Sequence, residues 1–468
     1  MQIAKKQFKA IFKLSPQIKD WTKSSEFKDK YANHPYPPLL NPQNIDYESI
    51  PADLAWELNL PLPPKYDLIF LSNGCSGVGA TLSFLSECGV KYAGMSYTPK
   101  DSFIQLYDFL IKQISTSQDS KKAFIALSFF AECIVVYPEF YDDFKQRNGK
   151  HSNDAIKLVN CITKKVPLFY VARDPIGRMR TLINHINNLP ITPIMKRFNL
   201  CVDYENLFVK STYFGKVAKP SFVGLDDYDE VAFLYTRLLG DSLFNAFEGK
   251  VSEIHCIEFN DLMPEVAFKV FCELSEKFGF NKPTHKEAFI SRRSFCNGGA
   301  VTTLPITLYA HSDDLDNIGK KEHLESLNKK GGFSITIAVH CGEVPSDCVD
   351  ISDEIEPNLM IDEARILMLV NKNEIKLLRQ NESLYNATKS YLKGYVASAK
   401  VNVANTRNNL IKESDIIEYF RTHNDKRKFY KNIFDNEVNY IKTHYPHFLK
   451  KWGAYNEFEA MCAELDST

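Results

Sequence analysis

The sequence predicts an α/β protein in which a parallel sheet with flanking helices precedes a mainly helical C-terminal domain. Short apolar runs alternate with segments of helical periodicity from Tyr66 onward, which is the pattern of parallel α/β sheets. A glycine-rich loop joins the first apolar run to a helical segment. Beyond residue 373, aromatic residues recur at helical spacing, which is typical of helices that pack on a core.

Composition excludes several classes of protein. The 468-residue chain is 44% hydrophobic and 25% charged, which are globular values and allow about two domains. A formal net charge of −1 argues against a nucleic-acid partner, because such proteins usually carry a basic excess. No apolar run reaches the length of a membrane span, and the charged N-terminus lacks the features of a signal peptide. We therefore expect a cytoplasmic protein.

Cysteine usage points to the same compartment. Eleven cysteines are scattered singly along the chain, and no CxxC pair occurs. The closest pair, Cys341 and Cys348, has no histidine partners at zinc spacing. This pattern predicts reduced thiols, and no metal is expected.

Residues 1–64 are the first of three predicted segments. Residues 1–30 are lysine-rich and amphipathic, with Ile3, Phe8 and Ile11 among the apolar positions. They predict a helix that is solvated on the protein or makes peripheral contact with the inner face of the cytoplasmic membrane. Residues 34–64 are rich in proline, leucine and aromatic residues, which predicts an extended strap across the next domain instead of a free linker.

The α/β domain is predicted at residues 65–300. Its first strand, residues 68–71, is followed by a glycine-containing loop, residues 73–79, and by a helical stretch from Ala80 to Cys88. Glycines let the backbone approach a ligand closely, and a helix N-terminus adds partial positive charge. This order predicts a phosphate-binding loop, with an ordinary strand-to-helix turn as the alternative.

A second strand, residues 166–172, ends at Arg173. A helix is predicted to begin at Pro175 with Asp174 as its cap. Open α/β sheets bind ligands at the carboxyl ends of their strands, and a guanidinium suits a phosphate. Thr181 lies two turns along this helix, and we expect its hydroxyl to reach the same anion. The alternative is a capped helix whose arginines form surface ion pairs.

Later segments complete the prediction. Residues 253–259 predict a strand, and a helix follows to Phe278. The basic loop at residues 291–299 contains Arg292, which either closes over a phosphate or belongs to an ordinary exposed connection. Residues 301–468 are predicted as a small sheet, in which residues 333–340 and 366–370 pair, and a helical domain that packs on the α/β part.

Together these pieces resemble the sulfotransferase superfamily, which has a P-loop fold. The features that match are the loop at residues 73–81, Arg173 with Thr181 eight positions later, and the acidic segment at residues 257–262 before a helix that ends in Lys277-Phe278-Gly279. The order and separations agree across residues 66–280. The resemblance implies a donor, 3′-phosphoadenosine-5′-phosphosulfate, held by Asn73, Gly74, Cys75, Ser76, Gly77, Val78, Gly79 and Thr81 at its 5′ end and by Arg173 and Thr181 at its 3′-phosphate.

One position departs from the superfamily pattern. The usual lysine of the loop, which stabilises the bridging oxygen as the donor bond breaks, aligns with Cys75. A neutral thiol cannot neutralise developing charge as an ammonium does, and such stabilisation is commonly the largest catalytic contribution. Either another cation substitutes, with Arg178, Arg180 and Arg292 as candidates, or the transferred group is not sulfate.

The whole chain is also similar to a narrower bacterial family, loosely labelled sugar transferases, that is found with capsule and lipooligosaccharide genes. This resemblance implies a role in surface polysaccharide biosynthesis. The residues that carry it span the chain: Tyr36-Pro37-Pro38-Leu39-Leu40-Asn41-Pro42, Ala55-Trp56, Asn59-Leu60-Pro61-Leu62-Pro63, Tyr445-Pro446, Trp452, Tyr455, Glu457-Phe458-Glu459 and Met461-Cys462.

The leading functional hypothesis is a transferase. It would move a small group, sulfuryl in the specific version, from a nucleotide donor to a sugar hydroxyl of a glycan or lipid-linked glycan acceptor. A base must then take the hydroxyl proton. His185 and His255 are candidates because the pKa of histidine lies near neutrality, and Glu258 and Glu132 are the carboxylate alternatives.

Two alternatives stay open. A glycosyl or phosphoryl-type transferase would use a nucleoside diphosphate donor. The acidic clusters at residues 226–229 and 313–316 are the local candidates for its DxD-like motif, although both predict acidic surface turns. A non-catalytic, nucleotide-binding scaffold of glycan assembly would tolerate the loss of the loop lysine.

Overall fold

A computed structural model describes residues 2–93, 96, 98–115, 123–130, 151–187, 195–208, 242–290, 299–320, 325–340, 344–362 and 364–466. The predicted site residues Glu132 and Arg292 and the acidic cluster at residues 226–229 lie outside this part of the chain. The helices are α1 (Gln2–Lys23), α2 (Ser25–Tyr31), α3 (Ala52–Glu57), α4 (Val78–Glu87), α5 (Pro99–Ser115), α6 (His151–Asn160), α7 (Pro175–Asn187), α8 (Ser242–Asn245), α9 (Pro264–Phe278), α10 (Lys286–Ile290), α11 (Ser352–Ile355), α12 (Lys372–Gln380), α13 (Glu382–Asn408), α14 (Glu413–Thr422), α15 (Asn424–His444), α16 (Pro446–Leu449) and α17 (Gly453–Asp466). The strands are β1 (Leu68–Ser72), β2 (Lys91–Tyr92), β3 (Ile125–Phe130), β4 (Leu168–Ala172), β5 (Arg197–Asn199), β6 (Ile254–Glu258), β7 (Ile306–Ala310), β8 (Phe333–Val339), β9 (Cys348–Asp350), β10 (Met360–Ile361) and β11 (Ala364–Asn371).

Five parallel strands form the first sheet, in the spatial order β2-β3-β1-β4-β6. Residues of the central strand β1 alternate between two cores. Ile69 and Leu71 belong to one core, and Leu68 and Phe70 belong to the other. A strand that is buried on both faces requires a continuous apolar run, which β1 has. The predicted parallel sheet is therefore confirmed.

Helices cover both faces of this sheet, as predicted. On one face lie α5, α6 and α7, whose side chains join the core of Ile69 and Leu71. On the other face lie α4, α9 and α10, where the rings of Phe84 and Phe289 stack with their centroids 4.4 Å apart. The sheet is thus the middle layer of three.

The chain leaves the two central strands in opposite directions. From β1 it passes through α4 to β2 and β3 on one side, and it then crosses to β4 and β6 on the other side. In open α/β sheets, ligands bind in the crevice at the carboxyl ends of the strands where such a reversal occurs. The glycine loop follows β1 and Arg173 follows β4, so both lie at this crevice.

The second sheet contains six strands, in the order β10-β11-β8-β7-β5 with β9 paired to β11. The predicted pairing of residues 333–340 with residues 366–370 is present as the antiparallel ladder of β8 and β11. An earlier segment, β5, extends this sheet by running parallel to β7. Helix α13 covers the sheet and buries Tyr391 and Tyr395 against it.

The C-terminal region is mostly helical, as predicted. Its helices α14, α15 and α17 pack on the first sheet's core, where Phe420, Phe434 and Phe458 are completely buried. They also contact α7 directly, since the Arg178 guanidinium donates to Glu437 Oε2 of α15 at 2.6 Å. The division into residues 1–64, 65–300 and 301–468 stays a prediction, and the first core draws residues from all three segments.

The N-terminal helix α1 has two different faces. Ile11, Leu14 and Ile18 pack against the first core, whereas Phe12 points outward with 72% of its surface exposed. The Trp21 indole anchors the end of the helix by donating to the Pro38 carbonyl at 2.9 Å. Within the described residues, none of the helices combines the length and apolar character that crossing a bilayer requires.

Candidate functional site

The loop between β1 and α4 has an unusual backbone. Cys75 and Gly77 both adopt left-handed conformations, with φ values of 63° and 77°. At Gly77 a side chain would also collide with its surroundings, because a Cβ there would lie 2.5 Å from Leu262 Cδ1 and 3.2 Å from Phe259 Cε2. Helix α4 begins at the next residue, and the first N–H groups of a helix have no partner within it. The loop therefore presents backbone donors, as an anion site requires.

Two predicted loop ligands are held by the fold itself. The Thr81 hydroxyl donates to the Gly77 carbonyl at 3.0 Å and is fully buried. The Asn73 amide nitrogen donates to the Tyr170 hydroxyl at 3.3 Å, whereas its buried Oδ1 atom has no hydrogen-bond partner within the described part of the chain. These side chains fix the shape of the loop, and their predicted contacts with a donor stay a prediction.

Arg173 lies directly across the crevice from this loop. Its Nη1 group donates to the Cys75 carbonyl, and its Nη2 group donates to Thr181 Oγ1 at 2.9 Å. The guanidinium also lies on the Phe259 ring, 3.8 Å from the ring centroid. The structure thus brings together the two strand ends and the Arg173–Thr181 pair that the sequence predicted to be close.

The direct contacts of the Arg173 guanidinium in the described part of the chain are with uncharged groups. No carboxylate of the described residues lies within ion-pair distance of its guanidinium, whose contacts are a carbonyl, a hydroxyl and an aromatic ring. Burial, together with the nearby Arg180 and Arg178 cations, lowers the pKa of Arg173 to about 10. The side chain is still a cation at neutral pH. An anion bound here would relieve this repulsion.

Two cations proposed to replace the loop lysine have other contacts. Arg178 forms a buried ion pair with Glu437, at 2.6 Å between Nη2 and Oε2. Arg180 Nη1 lies 3.5 Å from Glu413 Oε1, and both side chains are partly exposed. Arg178 is therefore committed to the contact between α7 and α15. Arg180 remains open to a ligand at the cost of only a weak, screened surface pair.

Comparison with known proteins adds little to this geometry. Residues 256–465 match a family described as a protein of unknown function, DUF2972. The match covers less than half of the chain and begins on β6, after the glycine loop and Arg173. No curated protein and no solved structure matches the chain.

Glu258 serves as a structural cap. Its Oε2 atom accepts from the Asn260 backbone at 2.9 Å, and its Oε1 atom accepts from the Trp452 indole at 3.2 Å. The side chain is buried, with 1% of its surface exposed. Both oxygens thus accept a hydrogen bond, and the helix start at residues 258–264 explains the acidic residue structurally. Its role as a base stays a prediction.

Neither histidine candidate is placed in the crevice. His255 lies apart from it, and the side chain of His185 is not among those that the structure describes. His255 is half-buried within β6, packed beside Phe169 and Phe278, with its Nδ1 atom 2.9 Å from Lys277 Nζ. Burial lowers the pKa of His255, and the Lys277 ammonium lowers it further. Glu258 lies three positions further along the strand, or about 10 Å away. His185 lies on α7, but its side chain is outside the described part of the structure.

Acidic residues 313–316 are also accounted for by the fold. Asp313 pairs with Lys329 at 2.5 Å, and Asp314 accepts from Ser326 at 3.0 Å. Asp314 is 3% exposed, so the expectation of an acidic surface turn is wrong for this residue. Its buried carboxylate is stabilised by the hydrogen bond from Ser326. Among the residues that the structure describes, no group of three or more His, Cys, Asp or Glu side chains could hold a metal ion.

A second element reaches the crevice from the C-terminal region. A Cβ added at Gly177, in the first turn of α7, would lie 3.0 Å from Glu413 Oε1 and 3.9 Å from Arg173 Nε. Glu413 and Arg173 therefore flank the same point of the helix. The sequence alone does not single out Glu413, because a glutamate at the start of a helix is usually only a helix-terminal charge and no local pattern links it to residue 173.

Proposed function

We propose that this protein is a transferase with a P-loop, sulfotransferase-like nucleotide site in the crevice between β1 and β4. It would move a small group, sulfuryl in the specific version, from a nucleotide donor to a sugar hydroxyl of a glycan or lipid-linked glycan. The observation that carries the proposal is the Arg173 guanidinium: a cation without a carboxylate partner among the described residues, placed between the glycine loop and Thr181.

The residues present fit a donor with two separated phosphates. The loop before α4 offers backbone N–H groups to one phosphate, and Arg173 with Thr181 offers charged and hydroxyl donors to the other. Phe259 supports the guanidinium from one side, which fixes its plane. The donor would supply an activated S–O bond, whose electron pair stays on the nucleotide phosphate when the acceptor oxygen forms the new bond.

The acceptor hydroxyl must lose its proton as it attacks. Glu413 is the carboxylate at the edge of the crevice, beside Gly177 and Arg173. Its Oε1 atom is 3.5 Å from Arg180 Nη1, and this ion pair holds the carboxylate in place. We therefore add Glu413 to His185 and His255 as a candidate base, because its carboxylate lies beside Gly177 and Arg173 at the crevice.

One observation favours a second candidate function, nucleotide binding without transfer. Cys75 occupies the position of the usual lysine, its carbonyl is engaged by Arg173, and the buried Arg178 is already paired. Such a site can hold phosphate groups but has fewer cations to stabilise a leaving oxygen. A scaffold of glycan assembly would need only to bind the nucleotide and not to stabilise a leaving oxygen.

A nucleotide screen tests the proposal. Thermal unfolding of the full chain would be recorded with 3′-phosphoadenosine-5′-phosphate, UDP, CDP and GDP. A ligand present at 100 times its dissociation constant adds about 2.7 kcal/mol of stability, so a true donor product gives a clear shift. Stabilisation by 3′-phosphoadenosine-5′-phosphate supports sulfuryl transfer, and stabilisation by a nucleoside diphosphate alone supports the glycosyl or phosphoryl-type alternative.

The same screen can also refute the proposed nucleotide site. If none of the four nucleotides shifts the transition, the nucleotide site is wrong. Binding is then separated from turnover by incubating the protein with the preferred donor and an extract of surface glycans, and by following release of the nucleotide product. Binding without any release identifies the scaffold.

A further inference from the structure

A polar cleft of about 400 Å³ lies beside the nucleotide crevice. It is formed by α7, the end of α13, and the loop that leads into α14. Its volume is in the range of small-molecule sites and suits a monosaccharide-sized group. The residues that line it are Arg180, Asn184, Arg407, Leu410, Ile411, Lys412, Glu413 and Ser414.

The lining of this cleft is strongly basic. Arg180, Arg407 and Lys412 contribute three positive charges from three different elements, against the single carboxylate of Glu413. Arg407 also contacts Asp362, which lies outside the lining. Lys412 is exposed, and no carboxylate of the described residues lies within ion-pair distance of its ammonium group. With Glu413 and Asp362 both counted, the three cations leave a positive excess, which favours an anionic ligand. The two guanidinium groups of Arg180 and Arg407 suit the oxygens of a phosphate monoester, which carries roughly −1.5 to −2 at pH 7.

The wall of the cleft is fixed by a reciprocal hydrogen bond. Asn184 Nδ2 donates to the Ile411 carbonyl at 2.9 Å, and the Ile411 backbone N–H donates back to Asn184 Oδ1 at 3.0 Å. Asn184 and Ile411 are both buried, although 227 residues separate them in sequence. The basic loop is therefore held against α7 in one position, as a binding site requires.

The cleft adjoins the nucleotide crevice along α7. Glu413 belongs to its lining and also stands beside Gly177 and Arg173, where the donor would bind. A molecule in the cleft would therefore reach the crevice past this carboxylate. Arg180, which pairs with Glu413, faces the same boundary.

We infer that this cleft binds the phosphate group of the second substrate, so that the acceptor is a phosphorylated sugar and not a neutral one. The inference rests on the proposed transferase function. Arg180, Arg407 and Lys412 hold the phosphate, and Glu413 takes the proton of the sugar hydroxyl that enters the crevice. The O–H bond breaks and its proton passes to the carboxylate. The oxygen forms the bond to the transferred group as that group's bond to the donor phosphate breaks, and the electron pair of that bond stays on the nucleotide.

Isothermal titration of the full chain with glucose 1-phosphate, with and without saturating 3′-phosphoadenosine-5′-phosphate, tests this site. Glucose is the neutral control ligand. Lys412→Glu should weaken glucose 1-phosphate binding about tenfold or more, because it removes a charge-assisted contact and adds repulsion. Lys393→Glu is the matched control, since Lys393 is exposed on α13 and lies outside the cleft lining. It should leave the affinity unchanged.

Four outcomes decide the inference. It is supported if glucose 1-phosphate binds together with the nucleotide, glucose binds much more weakly, and only the cleft variant loses affinity. It is overturned if the sugar phosphate competes with the nucleotide, because the anion then occupies the Arg173 site. It is also overturned if the nucleotide binds and glucose 1-phosphate does not, which leaves the proposed function standing. Binding of glucose 1-phosphate in the cleft with no nucleotide binding supports the anion site and refutes the donor site.

Discussion

Replacing Gly77 by alanine tests the packing that connects the glycine loop to Arg173. Residue 77 has φ 77°, and a residue with a Cβ in this region loses roughly 1–2 kcal/mol. The new methyl group would lie 2.5 Å from Leu262 Cδ1, and Leu262 is only 3% exposed, so it cannot swing into solvent. Such overpacking typically costs about 1–3 kcal/mol. We therefore expect the free energy of unfolding to fall by about 2–5 kcal/mol.

Gly79→Ala is the matched control, two residues further along the same segment. A Cβ at Gly79 meets no atom within 4 Å, and the residue is helical and exposed. Alanine there should raise the free energy of unfolding by about 0.5–1 kcal/mol. Urea unfolding followed by tryptophan fluorescence compares the two variants. Equal unfolding midpoints for Gly77→Ala and Gly79→Ala would refute the described loop geometry.

Three further predictions follow from other contacts. Glu437→Ala removes the carboxylate that pairs with the buried Arg178 guanidinium. It should lower the free energy of unfolding by about 3–5 kcal/mol in the urea assay, because it leaves a buried charge without its partner. A loss under about 1 kcal/mol would contradict a buried ion pair. Because burial lowers the pKa of His255 in the folded state, the unfolded state binds the proton more readily, so stability is lost as the pH falls below the unfolded pKa. His255→Phe should therefore flatten the decline in stability between pH 7 and pH 5, and an unchanged slope would rule out this cause. If α1 contacts anionic membranes, replacing Lys13, Lys19 and Lys23 by glutamate should reduce co-flotation of the protein with phosphatidylserine vesicles. Each lysine near such a surface contributes about 1 kcal/mol to the binding free energy. Failure of the wild-type chain to float with the vesicles would refute the contact.

Local sequence signals predicted the first sheet well. Strands β1 and β4 are buried on both faces, so they appear in the sequence as continuous apolar runs that end at glycines or at a charged residue. The predicted cap at Asp174 is present, with Oδ1 accepting from Ile176 at 2.9 Å. Because adjacent parallel strands end at the same edge, the meeting of the glycine loop with Arg173 could also be expected from sequence.

The remaining features depend on contacts between distant residues. Trp452 donates to Glu258 across 194 positions, and this contact gives an acidic residue a structural role that spacing alone does not show. The basic cleft requires α7 to meet the end of α13, although its cations are scattered in the sequence. Strand β5 joins the second sheet from more than 100 positions upstream of β7, and its three residues carry too little periodicity for prediction.

The most direct test of the central claim is the affinity of Arg173→Ala for 3′-phosphoadenosine-5′-phosphate, measured by isothermal titration beside the wild-type chain and Lys393→Glu. Arg173 forms charge-assisted contacts at the crevice, and loss of such a group should weaken binding about tenfold or more. We expect that loss for Arg173→Ala and no change for Lys393→Glu. Equal nucleotide affinities for Arg173→Ala and the wild-type chain would contradict the proposed nucleotide site.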